Sequence, residues 1–372
     1  MRMNQLPMLL TAAWQDQIAV DIYGPPGVGK SEGVIQWAQQ MARMTGKPFG
    51  VITEHLSTME SIDVRGIPVI VDEVQPDGTV AKRATFSKSP LMPSAELFPE
   101  GIPDQGVVFL DEYRQAPIDV IKPAARFKLE RRIGNSSLDD YGHWFVITAS
   151  NRTSDKSGAN KGLAMDINRA IQVDIEPHLK SWLQWAENQD IHPLTVSYAQ
   201  SHPGKVFLDE VPDKEGAFAT PRTLVMADKF IRRFPGNDGM VLNFFEDDDF
   251  RSGVVMAGLA GLLGSVGVEF RAHCAIAHEL PTLEEVVKDP TSAKMPERMD
   301  AKYAISQMLA FQIKPETAVP VFTYITRIPN EELQVASLRQ AMKRAPTIGS
   351  HPQFLKWVEK NSSLLLTVAQ AA

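Results

Sequence analysis

Apolar and polar positions follow one rhythm in the first half of the chain and another in the second. Up to about residue 175, short apolar runs of strand character at 18–23, 48–54, 106–113, from 144 to just before Asn151, and 171–175 alternate with stretches of helical spacing. The helical stretches lie at 6–17, from Ser31 onward, 57–65 and 117–132. Runs apolar on both faces, separated by helices, predict a parallel sheet covered on each side. Two further runs, 69–74 and 79–86, flank Pro76-Asp77-Gly78 and predict a hairpin. After Glu176 the strand signal stops. Helical patterns follow at 179–188, from Thr220, at 250–277 and 281–296, and from 301 to 372, where Pro315, Pro320, Pro329, Pro346 and Pro352 separate them. Gly258, Gly261, Gly264 and Gly267 predict close helix contacts in the 250–277 stretch. No internal repeat or low-complexity tract is visible.

The first strand runs into Gly24-Pro25-Pro26-Gly27-Val28-Gly29-Lys30-Ser31, and Glu32 continues the helix that follows. Strand, glycine-rich loop and helix in this order form a phosphate-binding loop. Its glycines let backbone N–H groups turn toward an anion at the positive end of the helix. Pro25 and Pro26 limit the disorder to be frozen out, Lys30 reaches the β and γ phosphates, and the Ser31 hydroxyl is a ligand for Mg²⁺.

Five further positions extend this chemistry. Asp111 and Glu112 end the 106–113 strand, Asp111 placed to hold the Mg²⁺ shell and Glu112 to polarise a water. Asn151 lies just past its strand, where open α/β sheets bind ligands. Arg169 stands at a helix end, and Arg222 on the first turn of a helix begun by the Thr220 N-cap and Pro221.

Composition narrows the setting. A 372-residue chain with 44% hydrophobic and 22% charged residues has the profile of a soluble globular protein with room for two or three domains. The single cysteine, Cys274, excludes an internal disulfide and fits a reducing compartment. No apolar run is long enough to cross a bilayer or serve as a secretory signal, so the expectation is a cytoplasmic protein without membrane contact. The net charge of −7 argues against a generally basic nucleic-acid-binding surface. His273, Cys274 and His278 read as core residues of an apolar helix, and the acids 246–249 as a solvated helix approach.

Gly24 to Ser31, Asp63-Val-Arg-Gly-Ile-Pro, Gly106-Val-Val-Phe-Leu-Asp-Glu-Tyr-Arg-Gln-Ala-Pro, Val146-Ile-Thr-Ala-Ser-Asn, Ile167-Asn-Arg and Ala219-Thr-Pro-Arg-Thr together resemble an AAA+ ATPase of the MoxR branch, within the ASCE class of P-loop proteins. The resemblance covers roughly residues 18–230. It implies an AAA+ core over 1–176, with a five-stranded parallel sheet between helices, then an all-α lid over 177–280 and a helical C-terminal extension over 281–372. It further implies ATP and Mg²⁺, a homo-oligomeric ring of six subunits, and a partner carrying a von Willebrand factor A domain. Carried over, Asn151 is sensor 1, Arg222 sensor 2, and Arg169 the finger inserted into the neighbour's site. Residues 66–89 are the helix-2 hairpin and 132–143 the hairpin before sensor 1, both facing the pore in relatives. The family commonly reads Glu-Ile-Asn-Arg-Ala-Pro after the strand acid; here Gln115 takes the arginine's place and Arg114 stands beside it.

Three functions follow from these readings: ATP-driven remodelling of a protein client; a nucleic-acid motor or loader, of bacteriophage or mobile-element type, with Lys82, Arg83, Phe86, Lys88, Arg126, Lys128, Arg131 and Arg132 lining the pore; and a nucleotide-gated scaffold.

Overall fold

Val20-Asp-Ile-Tyr forms β1 (Val20–Tyr23), and the remaining core strands assemble around it in the computed structural model. The model describes residues 1–360 except 156, 161–163, 214, 235 and 238–241. The end of the expected C-terminal extension, 361–372, lies outside the described residues. In chain order the strands are β2 (Gly50–His55), β3 (Pro68–Val74), β4 (Val80–Phe86), β5 (Gln105–Asp111), β6 (Arg132–Ile133), β7 (Ser136–Ser137), β8 (His143–Ser150) and β9 (Ile171–Asp174). Five of them form a parallel sheet in the order β2-β5-β8-β1-β9. This is the expected α/β architecture.

Alternation along the central strands explains the layers. Val107 and Phe109 of β5, with Phe145, Ile147 and Ala149 of β8, face α1 (Leu6–Gln15) and α2 (Lys30–Thr45), meeting Leu6, Leu10, Val34, Trp37 and Met41. Val108, Leu110, Trp144 and Val146 face the other way, onto α3 (Ser61–Arg65) and α4 (Ile118–Glu130), where they join Val64, Val120, Ala124 and Phe127. Both faces are therefore apolar and covered, which a parallel sheet requires. The register aligns the carboxyl ends: Tyr23 pairs with Ser150 and Asp174, and His55 with Asp111. All loops that follow these strands open along one edge.

The β3–β4 hairpin stands outside these layers. Its turn is closed by Gln75 N to Thr79 O at 2.8 Å, and Asp77 accepts from the N and Oγ1 of Thr79. Those hydrogen bonds hold the Asp77 carboxyl below its usual range. Both strands are largely exposed, including Ile70, Val74 and Val80. The short β6–β7 ladder touches its base, with Asn135 Nδ2 donating to Thr85 Oγ1 at 2.8 Å.

Two compact units divide the chain. The first comprises 1–178 with 209–211; the second comprises 179–208 and 212–372. The second is helical throughout its described residues: α6 (Leu179–Ala186), α7 (Pro193–Ser201), α8 (Pro203–Val206), α9 (Pro221–Ile231), α10 (Asp249–Leu263), α11 (Val266–Ala275), α12 (Leu283–Lys288), α13 (Met299–Gln312), α14 (Ala318–Ile325), α15 (Glu331–Arg344) and α16 (Pro352–Lys360). One apolar cluster gathers Trp182, Leu194, Leu224, Leu259 and Phe270; another gathers Leu309, Phe322, Leu338 and Trp357.

Two sequence expectations need correction here. The 250–277 stretch is not one helix but breaks at Gly264, whose φ of +60° ends α10 and whose Cα lies so close to Ala217 O that a Cβ would come within 2.1 Å of it. Pro320 does not separate helices: it sits within the first turn of α14, where its missing N–H costs no intrahelical bond. The expected contacts at Gly258 and Gly267 are present, against Phe230 and the Leu259 backbone. Cys274 is fully buried and burial raises its thiol, whereas His278 is exposed. No helix among the described residues is long and apolar enough to cross a membrane.

Candidate nucleotide site

The loop after β1 wraps a lysine. Lys30, at the start of α2, is only 7% exposed and donates from Nζ to Gly24 O at 2.7 Å, Pro25 O at 3.1 Å and Asn151 Oδ1 at 2.9 Å. Gly24 packs so closely on the turn after β9 that a Cβ would lie 2.7 Å from Ile175 O. Gly29 is the N-cap of α2, leaving the free N–H groups of the helix pointing into the loop. Val28 is half-buried against the α1–α2 core, and Glu32 lies in the first turn of α2, accepting from Gln36 Nε2 at 2.7 Å.

Ser31 is directed to the end of β5. Its Oγ donates to Asp111 Oδ2 at 2.5 Å, and Asp111 Oδ1 accepts from Glu112 N at 2.8 Å. A hydroxyl and a carboxylate converging on one spot are the hard oxygen donors Mg²⁺ prefers, so these residues fit that ion.

Glu112 departs from the strand in the left-handed region, at φ +53°. Its Oε2 accepts a hydrogen bond from Ser57 Oγ, in the connection after β2. Sequence reading missed Ser57; only its place after the strand neighbouring β5 would have pointed to it.

The next residues tie this corner to the sheet. Tyr113 is buried, and burial with the charge of Asp166 pushes its phenol far up. Arg114 N donates to Ser150 Oγ at 3.0 Å, while its guanidinium stacks 4.2 Å from the Tyr23 ring. Arg114 Nε is buried with no hydrogen-bond partner among the described residues. Tyr23 is raised too, first by burial and then by Asp21. Arg152, beside Asn151, is anchored by Asp174 Oδ1 at 2.8 Å and Ile175 O at 3.2 Å.

The structure thus brings Lys30, Ser31, Asp111, Glu112 and Asn151 to one edge of the sheet. Arg169 is in the same unit, beyond the short α5 (Ala164–Ile167), half-buried with Nη1 donating to Ala125 O at 3.0 Å. Arg222 belongs to the second unit and is exposed on the first turn of α9, where Thr220 Oγ1 caps Thr223 N at 3.1 Å.

No family model matches this sequence, and no curated protein does. Among solved structures, a protein from Cytophaga hutchinsonii assigned as an ATPase is similar at 14% identity, covering 62% of this chain and 58% of that one with a TM-score of 0.32. NtrX from Brucella abortus is similar at 15% identity over 74% of this chain and 66% of its own, with a TM-score of 0.33. The match spans less than two-thirds of either relative.

The expected pore lining needs one correction. Lys128 cannot face a channel: its side chain is 0% exposed and paired with Asp21 and Asp166. Lys82, Arg83, Lys88, Arg126 and Arg132 are exposed; Arg83 pairs with Glu73, Arg126 with Glu130, and the half-buried Arg131 with Asp139. Asp21 interrupts an apolar core strand, and Lys128 supplies the partner that a buried carboxylate requires.

Proposed function

We propose that this chain is a Mg²⁺-dependent ATPase of the AAA+ type, MoxR-like, working as a six-subunit ring that remodels a protein client. The observation that carries it is the meeting of Lys30, Ser31, Asp111, Glu112 and Asn151 at the carboxyl edge of the sheet.

The roles follow from the geometry. An incoming triphosphate replaces the carbonyl and amide oxygens on Lys30 Nζ, exchanging neutral acceptors for charged ones. Ser31 and Asp111 would hold Mg²⁺, which would supply positive charge to the phosphates of the nucleotide. Glu112, released from Ser57, takes the proton from a water as its oxygen bonds to the γ phosphorus and the bond to ADP breaks. Asn151 orients the γ oxygens. Arg169 of one subunit completes the neighbour's site, a contribution of typically ~10³ to 10⁵ in rate, or about 4 to 7 kcal/mol. Arg222, on the first turn of α9 in the helical unit, is the sensor 2 that the family resemblance implies.

A protein client is favoured over nucleic acid by the β3–β4 hairpin, whose exposed Ile70, Val74 and Val80 suit apolar side chains better than phosphates. The nucleic-acid motor rests on Lys82, Lys88, Phe86 and Arg132 on the two touching hairpins. A partner with a von Willebrand factor A domain remains part of the first proposal.

The deciding experiment is Glu112→Gln. This variant should bind ATP, fail to cleave it and retain its client for identification; unchanged hydrolysis would remove Glu112 from its role. Stimulation of the wild type by single- or double-stranded DNA that fades with salt would instead select the motor.

A further inference from the structure

Beneath the nucleotide loop lies a charged cluster closed off from water. Asp21 of β1 and Lys128 of α4 both have side chains at 0% exposure, and Asp166 of α5 is at 2%. Lys128 Nζ lies 3.0 and 2.8 Å from the two Asp21 carboxylate oxygens and 2.7 Å from Asp166 Oδ1. Asp21 also accepts from Thr148 Oγ1 at 2.8 Å and Gln172 Nε2 at 2.7 Å, and Asp166 from Tyr113 OH at 3.0 Å.

Such a cluster is a poor way to gain stability. Burying each ion costs several kcal/mol, and apolar replacements of equal volume often hold a core as well or better. Hydrogen-bonded charges differ from an apolar core in fixing the relative placement of the elements that carry them. Here those elements are the ones that bear the chemistry. Asp21 stands three residues before Gly24, Thr148 three before Asn151, Asp166 three before Arg169, and Tyr113 directly after Glu112. Helix α4 also holds the far end of this assembly a second time, through Ala125 O and Arg169 Nη1 at 3.0 Å, one turn before Lys128.

We infer that Lys128 is a positioning residue for Arg169: by clamping Asp166 to Asp21, it sets how a subunit presents its arginine to the neighbour and ties that presentation to the subunit's own nucleotide loop. The inference rests on the shared-site reading proposed above and adds the residue that controls the shared group.

Mixed rings test it. Lys128→Met should bind a fluorescent ATP analogue within about threefold of wild type yet turn over roughly 10- to 100-fold more slowly, the scale of a catalytic group displaced by about an ångström. Lys30→Ala subunits bind no ATP but present an intact Arg169. Mixed equally with them, Lys128→Met subunits should recover to about half the wild-type rate per Lys128→Met subunit, since about half gain a neighbour with a well-placed arginine. Asp166→Asn, which keeps the Oδ1 shared by Tyr113 and Lys128 but removes the charge that clamps the lysine, should slow turnover in the same direction and recover likewise, and decides the matter alone if Lys128→Met does not fold. Arg169→Ala mixed with Lys30→Ala is the reference. Recovery in that reference without recovery of Lys128→Met or Asp166→Asn overturns the inference and leaves the shared site standing. No recovery in the reference overturns the shared site, and the inference with it.

Discussion

Lys30 and Asn151, 121 positions apart in sequence, meet at 2.9 Å between Nζ and Oδ1, across the junction of β1 and β8. The contact makes the amide one of three oxygens holding the ammonium in place. Asn151→Ala leaves Lys30 its two carbonyl acceptors, so nucleotide should still bind within a few-fold. Hydrolysis should fall about 10- to 100-fold, matching the ~1.5–3 kcal/mol of a hydrogen bond to a charged group. Equilibrium binding and steady-state phosphate release, measured side by side, check the split; equal losses in both would make Asn151 a binding group only.

Glu112 is tethered by Ser57, whose hydroxyl occupies a lone pair that a water proton would need. Ser57→Ala should bind ATP normally and raise basal turnover about two- to tenfold, the range for losing one hydrogen bond of ~0.5–1.5 kcal/mol. A lower basal rate would mean that Ser57 orients Glu112 productively rather than restraining it.

Arg169→Ala should bind ATP yet lose most turnover, about 10³-fold or more. Specific activity of the wild type should fall on dilution as subunits separate. A flat dilution series together with a harmless Arg169→Ala would put each site within a single subunit.

The 2.7 Å approach of a Cβ at Gly24 to Ile175 O involves backbone on both sides, so no rotamer change can relieve it. Gly24→Ala should displace the loop and weaken ATP binding about 5- to 150-fold, matching ~1–3 kcal/mol lost to overpacking. Unchanged affinity would show that the loop can shift without cost.

His273 in α11 carries a pH dependence. Its Nε2 lies 2.6 Å from Ser197 Oγ, whose own hydroxyl donates to Leu194 O, so the ring donates from Nε2 and Nδ1 is buried without a partner among the described residues. Burial, then His202, hold its pKa down to about 4; Asp300 opposes and Arg298 reinforces the shift. Between that value and the usual 6.5 the unfolded chain binds the extra proton, so stability is full above about pH 6.5 and falls as pH drops toward 4, by about 3 kcal/mol. Thermal unfolding at pH 7.5 and 4.5 should show a smaller drop in Tm for His273→Gln than for the wild type. An identical drop would assign the acid sensitivity to other groups.

Much of the sheet was legible because its strands are apolar on both faces and end at chemically marked positions: Gly24 after β1, Asp111 at the end of β5, Asn151 after β8. These signals are local, and the sheet needs little else to bring them together. Contacts set by the pairing of distant elements were not legible. Ser57 reaches Glu112 only because β2 lies beside β5, and Lys128 looks like one more charge on a basic helix until α4 is seen to turn it onto Asp21 and Asp166. The break at Gly264 escaped notice because the residues on either side keep a helical spacing, and only the approach to Ala217 demands the turn.

Enclosure gives the Asp21–Lys128–Asp166 contact one more property. Mobile ions cannot enter it, so added salt that weakens solvated pairs such as Lys47–Asp104 screens the buried one much less. For the proposed ring, potassium chloride therefore separates what would join subunits from what organises each of them: activity lost to added salt and regained at higher protein concentration would belong to the seams of that ring.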